Sequence, residues 1–371
     1  MLDIFANPSF SVISLSLALL QRRYIPGLIG RLGLFTPRPL ATTMTAVETR
    51  GHRLALVPEI PRGSPPPPDV HDARALTAFT IPQFALRSTV MADSVQNVRA
   101  FGSDSQLEGV QEVIGQHEDQ LGERLDLTLE YLRLGAVKGI IVTKADRETG
   151  APMIAVSLFE KFHVDPQPVI EWPIIGAGAA GEASFWSAQL TGLIMSLGRL
   201  MADNMSGGMY QSIYGIAGSV AYDAFAMHPE NRAPFLATEN APLRSNILDT
   251  RLSFRGITIE EYRGIVGNIR FVEPDEIHFF PVGVPGLFLE YYAPGDFMDA
   301  VNRMALPRYS MMQPLDWDKG VELMAQMNVL PLCTAPRALF TVRVTNAPGY
   351  TPPVGAHAPA ASPTRRATAT V

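Results

Sequence analysis

Between Leu107 and Leu132 the residues Leu107, Val110, Ile114, Leu121, Leu125, Thr128 and Leu132, all apolar but Thr128, recur at spacings of three, four or seven. That period predicts one helix of roughly 30 residues, about 45 Å long. Ser103 or Asp104 would cap its start and Gly139 would end it. Gly109, Gly115 and Gly122 fall inside the run, and each costs up to about 1 kcal/mol relative to alanine. Packing, not propensity, must therefore hold the helix. Its apolar stripe is narrow and its other faces are charged, so it is expected to lie as a rod across a sheet.

The flanking segments have a different period. Arg53–Pro58 (RLALVP) and Arg74–Ile81 (RALTAFTI) alternate as strands do, and between them stand four successive prolines, Pro65–Pro68. Prolines donate no backbone hydrogen bond and favour an extended chain, so the pair reads as a long hairpin with a stiff tip. A lone hairpin is marginal in water, so this one is expected to pack on a partner. After the helix, Gly139–Lys144 and Met153–Phe162 read as a second hairpin. Trp186, Leu190, Leu193, Leu197 and Leu200 mark another helix. A strand at Ser212–Ala217 leads into a helix at Ser219–Met227, with Ser219 as its cap. Phe254–Val272 reads as two strands, followed by strands at Glu276–Val284, Gly286–Ala293 and Arg337–Val344. Residues 1–41 look like an arm that lies on something else. Residues 347–371, rich in Pro, Ala and Thr, read as a disordered or extended tail.

Composition excludes several classes of function. Of 371 residues, 47 % are hydrophobic, enough for a sizeable core, and the net charge is −6. A chain of that charge does not grip nucleic acid through a basic face. Arginine supplies 26 of the 30 basic residues, leaving Lys138, Lys144, Lys161 and Lys319, and arginine is favoured at protein interfaces. Cys333 is the only cysteine, so no internal disulfide forms, and it reads as a small buried apolar residue. The apolar run Ser11–Leu20 follows Asp3 and ends in Gln21-Arg22-Arg23, without a cleavage site. No signal peptide is expected, and the run is too short to span a bilayer.

No chemical motif survives inspection. Gly176-Ala177-Gly178-Ala179-Ala180-Gly181 satisfies G-x-G-x-x-G, and Asp203 lies near the spacing of a ribose-binding acid. But Pro166, Pro168 and Pro173 argue against a central strand before it, and no alternating βαβ pattern surrounds it. It reads as a flexible connector. The histidines (His52, His71, His117, His163, His228, His278, His357) show no metal-binding spacing. Gly218-Ser219 lacks the second glycine of a nucleophile elbow. Asp316-Trp317-Asp318 reads as a solvated loop. Glu260 and Glu261 fall in a strand, where neighbours point to opposite faces and cannot act as a pair. No catalytic, cofactor-binding or metal-binding residues are expected.

Seven stretches together resemble the lambda-type phage major capsid protein family (phage major capsid protein E), with its HK97-like fold: LALVPEIPRGSPP (Leu54–Pro66), DSVQNVRAFGS (Asp93–Ser103), LEYLRLGAVKG (Leu129–Gly139), GITIEEYRG (Gly256–Gly264), FPVGVPGLF (Phe280–Phe288), YYAPGDFMDAVN (Tyr291–Asn302) and LPLCTAPRALFTVRV (Leu330–Val344). The resemblance implies an α+β fold with an N-terminal arm (1–41), an E-loop hairpin over the adjacent subunit (42–98), a P-domain with the long spine helix (99–165 and 328–347), an A-domain at the capsomer axes (166–327) and a tail (348–371). It implies a self-assembling subunit of a tailed-phage shell, not an enzyme. Pentamers and hexamers would enclose dsDNA held non-specifically. Scaffolding, portal and decoration proteins are the implied partners, assembly takes place in the bacterial cytoplasm, and no membrane is involved. Some shells of this fold are locked by isopeptide bonds from an E-loop lysine. Residues 42–98 contain no lysine, so a shell without such crosslinks is expected. The competing readings are a cellular nanocompartment shell of the same fold and a nucleotide-dependent oxidoreductase resting only on Gly176–Gly181.

Overall fold

The computed structural model describes residues 27–50, 74–95, 110–145, 152–173, 183–205, 210–228, 230–231, 251–266 and 269–345. In chain order the elements are α1 (Leu28–Leu32), β1 (Thr36–Pro39), β2 (Met44–Arg50), β3 (Arg74–Thr80), β4 (Gln83–Met91), α2 (Ala92–Val95), α3 (Val110–Val137), β5 (Ile140–Ala145), β6 (Pro152–Ser157), α4 (Leu158–Lys161), β7 (Ile170–Pro173) and α5 (Ala183–Asn204). They continue as β8 (Ser212–Ala217), α6 (Ser219–Met227), β9 (Arg251–Phe254), β10 (Ile257–Glu261), β11 (Ile265–Val266), β12 (Ile269–Arg270), β13 (Glu276–Val282), β14 (Phe288–Tyr292), β15 (Tyr309–Pro314), β16 (Gly320–Cys333) and β17 (Phe340–Thr345).

The long helix is α3, and its stripe is buried at Leu121, Leu125, Leu129 and Leu132. These side chains meet Val90 of β4 and Leu323, Ala325, Met327 and Val329 of β16 in one apolar cluster. The rod therefore lies across a sheet, as its narrow stripe requires. That sheet runs β1-β14-β16-β15, with β4 on the other side of β16. Gly139 ends the helix region with φ +76, a backbone conformation that glycine adopts without strain. A side chain there would also strike the Phe159 ring, 2.4 Å from where its Cβ would sit.

The second sheet has the order β7-β17-β13-β8-β10-β9. Its strands alternate cleanly. Ile213, Ile257, Ile259, Ile277, Phe279 and Val342 face α5 and α6, which contribute Leu190, Leu197, Met201 and Phe225 to a dry core. Tyr214, Ile216 and Phe280 point the other way, into a cluster shared with α1 and the end of α3.

Several details differ from the sequence reading. β3 pairs with Met44–Arg50; Arg53–Pro58 and Pro65–Pro68 lie outside the described residues. Phe254–Val272 holds three short strands, β10, β11 and β12, rather than two, and β9 ends at Phe254. Ser219 is the first helical residue of α6, and the cap position is Gly218, with no side-chain cap bond. Glycine is required there because a Cβ would sit 2.0 Å from the Glu273 carbonyl oxygen. Strand β17 starts at Phe340, so Leu339 belongs to the turn before it and packs in the other cluster. β1, β4, β15 and β16 carry no sequence expectation above. β16 runs unbroken through 327–328, and β17 pairs in the six-stranded sheet.

Candidate functional site

Three buried glutamates, one from each major layer, converge where α1 docks. Glu130 comes from α3, Glu260 from β10 and Glu290 from β14, exposed by 2 %, 4 % and 1 %. Buried carboxylates persist only when donors surround them. Glu130 accepts the backbone N–H of Ile29 (2.6 Å) and of Gly30 (3.0 Å), and the Tyr262 hydroxyl donates to it at 3.3 Å. Its side chain thereby holds the first turn of α1 against α3. Glu290 receives a two-pronged bond from Arg133, one helical turn further along α3, at 2.8 and 3.2 Å, and a hydrogen bond from the Tyr292 hydroxyl. Glu260 takes Arg251 at 2.9 Å, Arg31 of α1 at 3.4 Å, and the Tyr214 hydroxyl.

Three arginines thus balance three carboxylates, and the arm touches two of the three layers. Burial pushes the Tyr214 and Tyr292 hydroxyls up, and the neighbouring carboxylates push them further. Both remain proton donors. Burial alone would lower the value of Arg133, but the hydrogen bonds and charge of Glu290 outweigh it. The Arg133 guanidinium also lies 5.9 Å from the centre of the Phe35 ring, just before β1.

A second polar set lines the same face of the six-stranded sheet. Glu276 and Arg343 stand opposite each other on β13 and β17 and pair at 2.9 Å. His278 stands opposite Thr341 and bonds it at 3.0 Å. Lys138, just past the end of α3, donates to the Phe271 carbonyl at 2.7 Å and ties that end to the chain after β12. Burial holds the His278 imidazole well below its ordinary value, and the Lys138 charge adds to this. The chemistry of both sets is fastening: each carboxylate is committed to fixed donors on another element.

The sequence-derived candidates are not brought together. Glu260 and Glu261 face opposite sides, Glu261 pairing with Arg263 at 2.6 Å. Gly176–Gly181 lies outside the described residues, but its flanks correct the sequence argument. A strand, β7, does precede it, and Pro173 is that strand's last residue. The strand tolerates proline because it is a sheet edge. A helix, α5, follows, with Asp203 exposed in its last turn. What excludes a dinucleotide fold is topology. Among the described residues β7 has one neighbour, β17, and the next pairing, β17 with β13, is antiparallel. Cys333 is buried in β16, where burial pushes its thiol up to about 12. Asp316–Asp318 forms the tip of the β15–β16 hairpin. Among the described residues no cluster of His, Cys, Asp and Glu could hold a metal ion.

Sequence reasoning singled out Glu260 but not Glu130 or Glu290. A signal existed: Glu290 occupies an inward position of an alternating strand, between buried Phe288 and Tyr292. A charge at a core register announces a buried partner.

A rod helix across one sheet, a docked arm, the base of a hairpin packed on the core and a second sheet carrying its own helices are the parts of the HK97-like capsid fold. Residues 11–344 match the family described as phage major capsid protein E, and the chain belongs to that family. It is 23 % identical over 352 residues to the major capsid protein of Salmonella phage Felix O1, covering 85 % of this chain and 91 % of that one. The capsid structure of cyanophage P-SCSP1u is similar at TM-score 0.50, with 12 % identity over 84 % of this chain and 87 % of that one. The cyanophage Pam1 capsid gives TM-score 0.49 and 12 % identity over 85 % and 89 %. The chain is a structural component of a phage capsid, not an enzyme.

Proposed function

We propose that the chain assembles into pentameric and hexameric capsomers of an icosahedral shell around double-stranded DNA, in the cytoplasm of its bacterial host. Family membership over residues 11–344 carries this reading. Scaffolding, portal and decoration proteins are its partners, and DNA contact is non-specific, in keeping with the net charge of −6. No helix among the described residues is long and apolar enough to cross a membrane.

Within this reading residues 1–41 are the arm, 42–98 the E-loop, and 348–371 a tail. The sheet pairings favour grouping β4 and β14–β16 with α3 as the P-domain. They favour grouping β17 with β7–β13 as the A-domain. The absence of lysine from 42–98 supports a shell held by interfaces rather than by covalent bonds from the E-loop.

Electron microscopy of the purified full chain tests the first claim: closed shells or capsomers are expected, and a monodisperse monomer would sink it. Denaturing gel electrophoresis of mature particles tests the second. A single band near 40.4 kDa is expected, and a ladder of covalent multimers would count against it.

A further inference from the structure

The end of α3 meets the six-stranded sheet through one polar joint. Lys138, half-buried just past the helix, donates to the Phe271 carbonyl at 2.7 Å. Phe271 is itself buried, and its ring packs against Tyr131 of α3, at 4.9 Å between ring centres, and against Tyr262, at 5.9 Å. Lys138 also faces His278 of β13, which is 5 % exposed. The other charged groups come from each element around this pair. Glu273, in the turn before β13, faces Lys138, and so does Glu276 of β13. β17 brings Thr341 and Arg343, and β8 places the uncharged Ile216 opposite His278. Two cations thus meet two carboxylates, and the balance holds only while the imidazole is neutral. Glu276 is already shared. Its Oε1 takes Arg343 at 2.9 Å, and its Oε2 lies 3.5 Å from His278 Nε2, a buried atom with no hydrogen-bond partner among the described residues.

We propose that His278 is an acid-operated release for this joint: on taking up a proton it draws Glu276 to Nε2, repels Lys138 and frees the Phe271 carbonyl, so that the sheet is no longer fastened to the end of the rod helix. In the protonated ring both nitrogens donate, Nδ1 to Thr341, now at 3.0 Å, and Nε2 to Glu276. Three cations then face two carboxylates. Lys138 is the one that leaves, because it rides a flexible stem at a helix end, whereas Arg343 is planar and held within a strand. Burial keeps the imidazole neutral in the closed joint, and the Lys138 charge adds to this. The released form is therefore the one that gains the proton. Release is favoured as pH falls below about 6.5, by up to about tenfold per pH unit. The joint lies within one subunit, so the release does not depend on the capsid reading.

Native-state hydrogen exchange of the full-length subunit at pH 7.5 and 5.0, divided by the intrinsic rate at each pH, tests the release. The amides of Lys138 and Phe271 donate to the Leu134 and Gly264 carbonyls. Both should lose protection by about thirtyfold, the factor for 1.5 pH units below 6.5, while amides of the β4–β16 ladder change by less than about threefold. Unchanged protection at Lys138 and Phe271, or an equal loss in the ladder, overturns the proposal. Two variants should abolish the acid response in opposite ways. His278→Gln can still bond Thr341 but gains no charge, so Phe271 should stay protected at both pH values. Lys138→Met lacks the fastening bond, so Phe271 should be poorly protected at both. An acid response that survives in either variant overturns the proposal. So does loss of Phe271 protection at both pH values in His278→Gln, which would make the histidine a packing residue only. If His278→Gln does not fold, Lys138→Met, at a half-buried site, still decides.

Discussion

The six-stranded sheet has two buried faces made in different ways. Toward α5 and α6 it presents Ile213, Ile259, Ile277, Phe279, Phe340 and Val342, and the one buried acid among those registers, Glu261, sits at a strand's end paired to Arg263. Toward α1 and α3 the alternate residues of the same strands are Tyr214, Glu260, Glu276, His278, Thr341 and Arg343, mixed with Ile216 and Phe280. The first face is held by burial of apolar surface, which has no direction. The second is held by bonds that need particular partners at particular angles. The first supplies stability. The second decides which segment docks and in what register, and the segment it receives is the arm.

Substitutions can break this contrast. Phe279→Ala on the dry face should cost about 3–5 kcal/mol, read as a lowered denaturation midpoint. The amide protons of Ile29 and Gly30 should stay protected in native-state hydrogen exchange, because their bonds lie on the other face. Glu290→Ala should be similarly costly, about 3–5 kcal/mol, since it leaves Arg133 without its partner. The double variant Glu290→Leu, Arg133→Met should recover most of that loss. If it is as unstable as the single variant, the pair stabilises the fold outright and does not mainly confer specificity. Glu130→Ala should abolish the protection of Ile29 and Gly30 by more than about tenfold, while lowering global stability by only about 1–3 kcal/mol. A subunit that keeps both amides protected would remove Glu130 from its role as the arm's anchor.

A smaller effect depends on pH. His278 has a folded value well below the ordinary one of about 6.5. The unfolded chain therefore takes up the proton first as pH falls. Its contribution is complete above about 6.5 and declines below that, by up to about 1.4 kcal/mol per pH unit. The melting temperature should fall between pH 7.5 and 5, and it should fall less in His278→Gln. Equal slopes would mean that other groups carry the acid sensitivity. Smallest of all, Arg87→Ala should change stability by less than about 0.5 kcal/mol, because its pair with Glu322 is exposed.

Legibility in the sequence followed the strength of the local apolar pattern. α3 and α6 were readable because an apolar stripe recurs along each, and β8 and β13, buried on both faces, were readable as short apolar runs of β-branched and aromatic residues. β16 was not. Its last eight residues, Gln326–Cys333, are buried on both faces, so no alternation marks them, and Pro331 disguises the strand further. β15 was missed for the opposite reason: nearly all of it is exposed, so it shows no inward set. Of the polar junction, Glu260 was visible but was read only as unable to pair with Glu261. Its partners Arg31, Tyr214 and Arg251 come from three other elements.

The sequence by itself determined the rod helix, the β5–β6 hairpin, the mixed α+β class and the family, because local period and residue spacing are properties of a chain read in order. Only the tertiary structure decided that Glu130, Glu260 and Glu290 meet around one arm. Glu130 and Ile29 are 101 positions apart and 2.6 Å from contact to contact. No period links such residues, since their proximity is set by how two sheets and a helix stack, and that is fixed only when all their apolar faces are buried together.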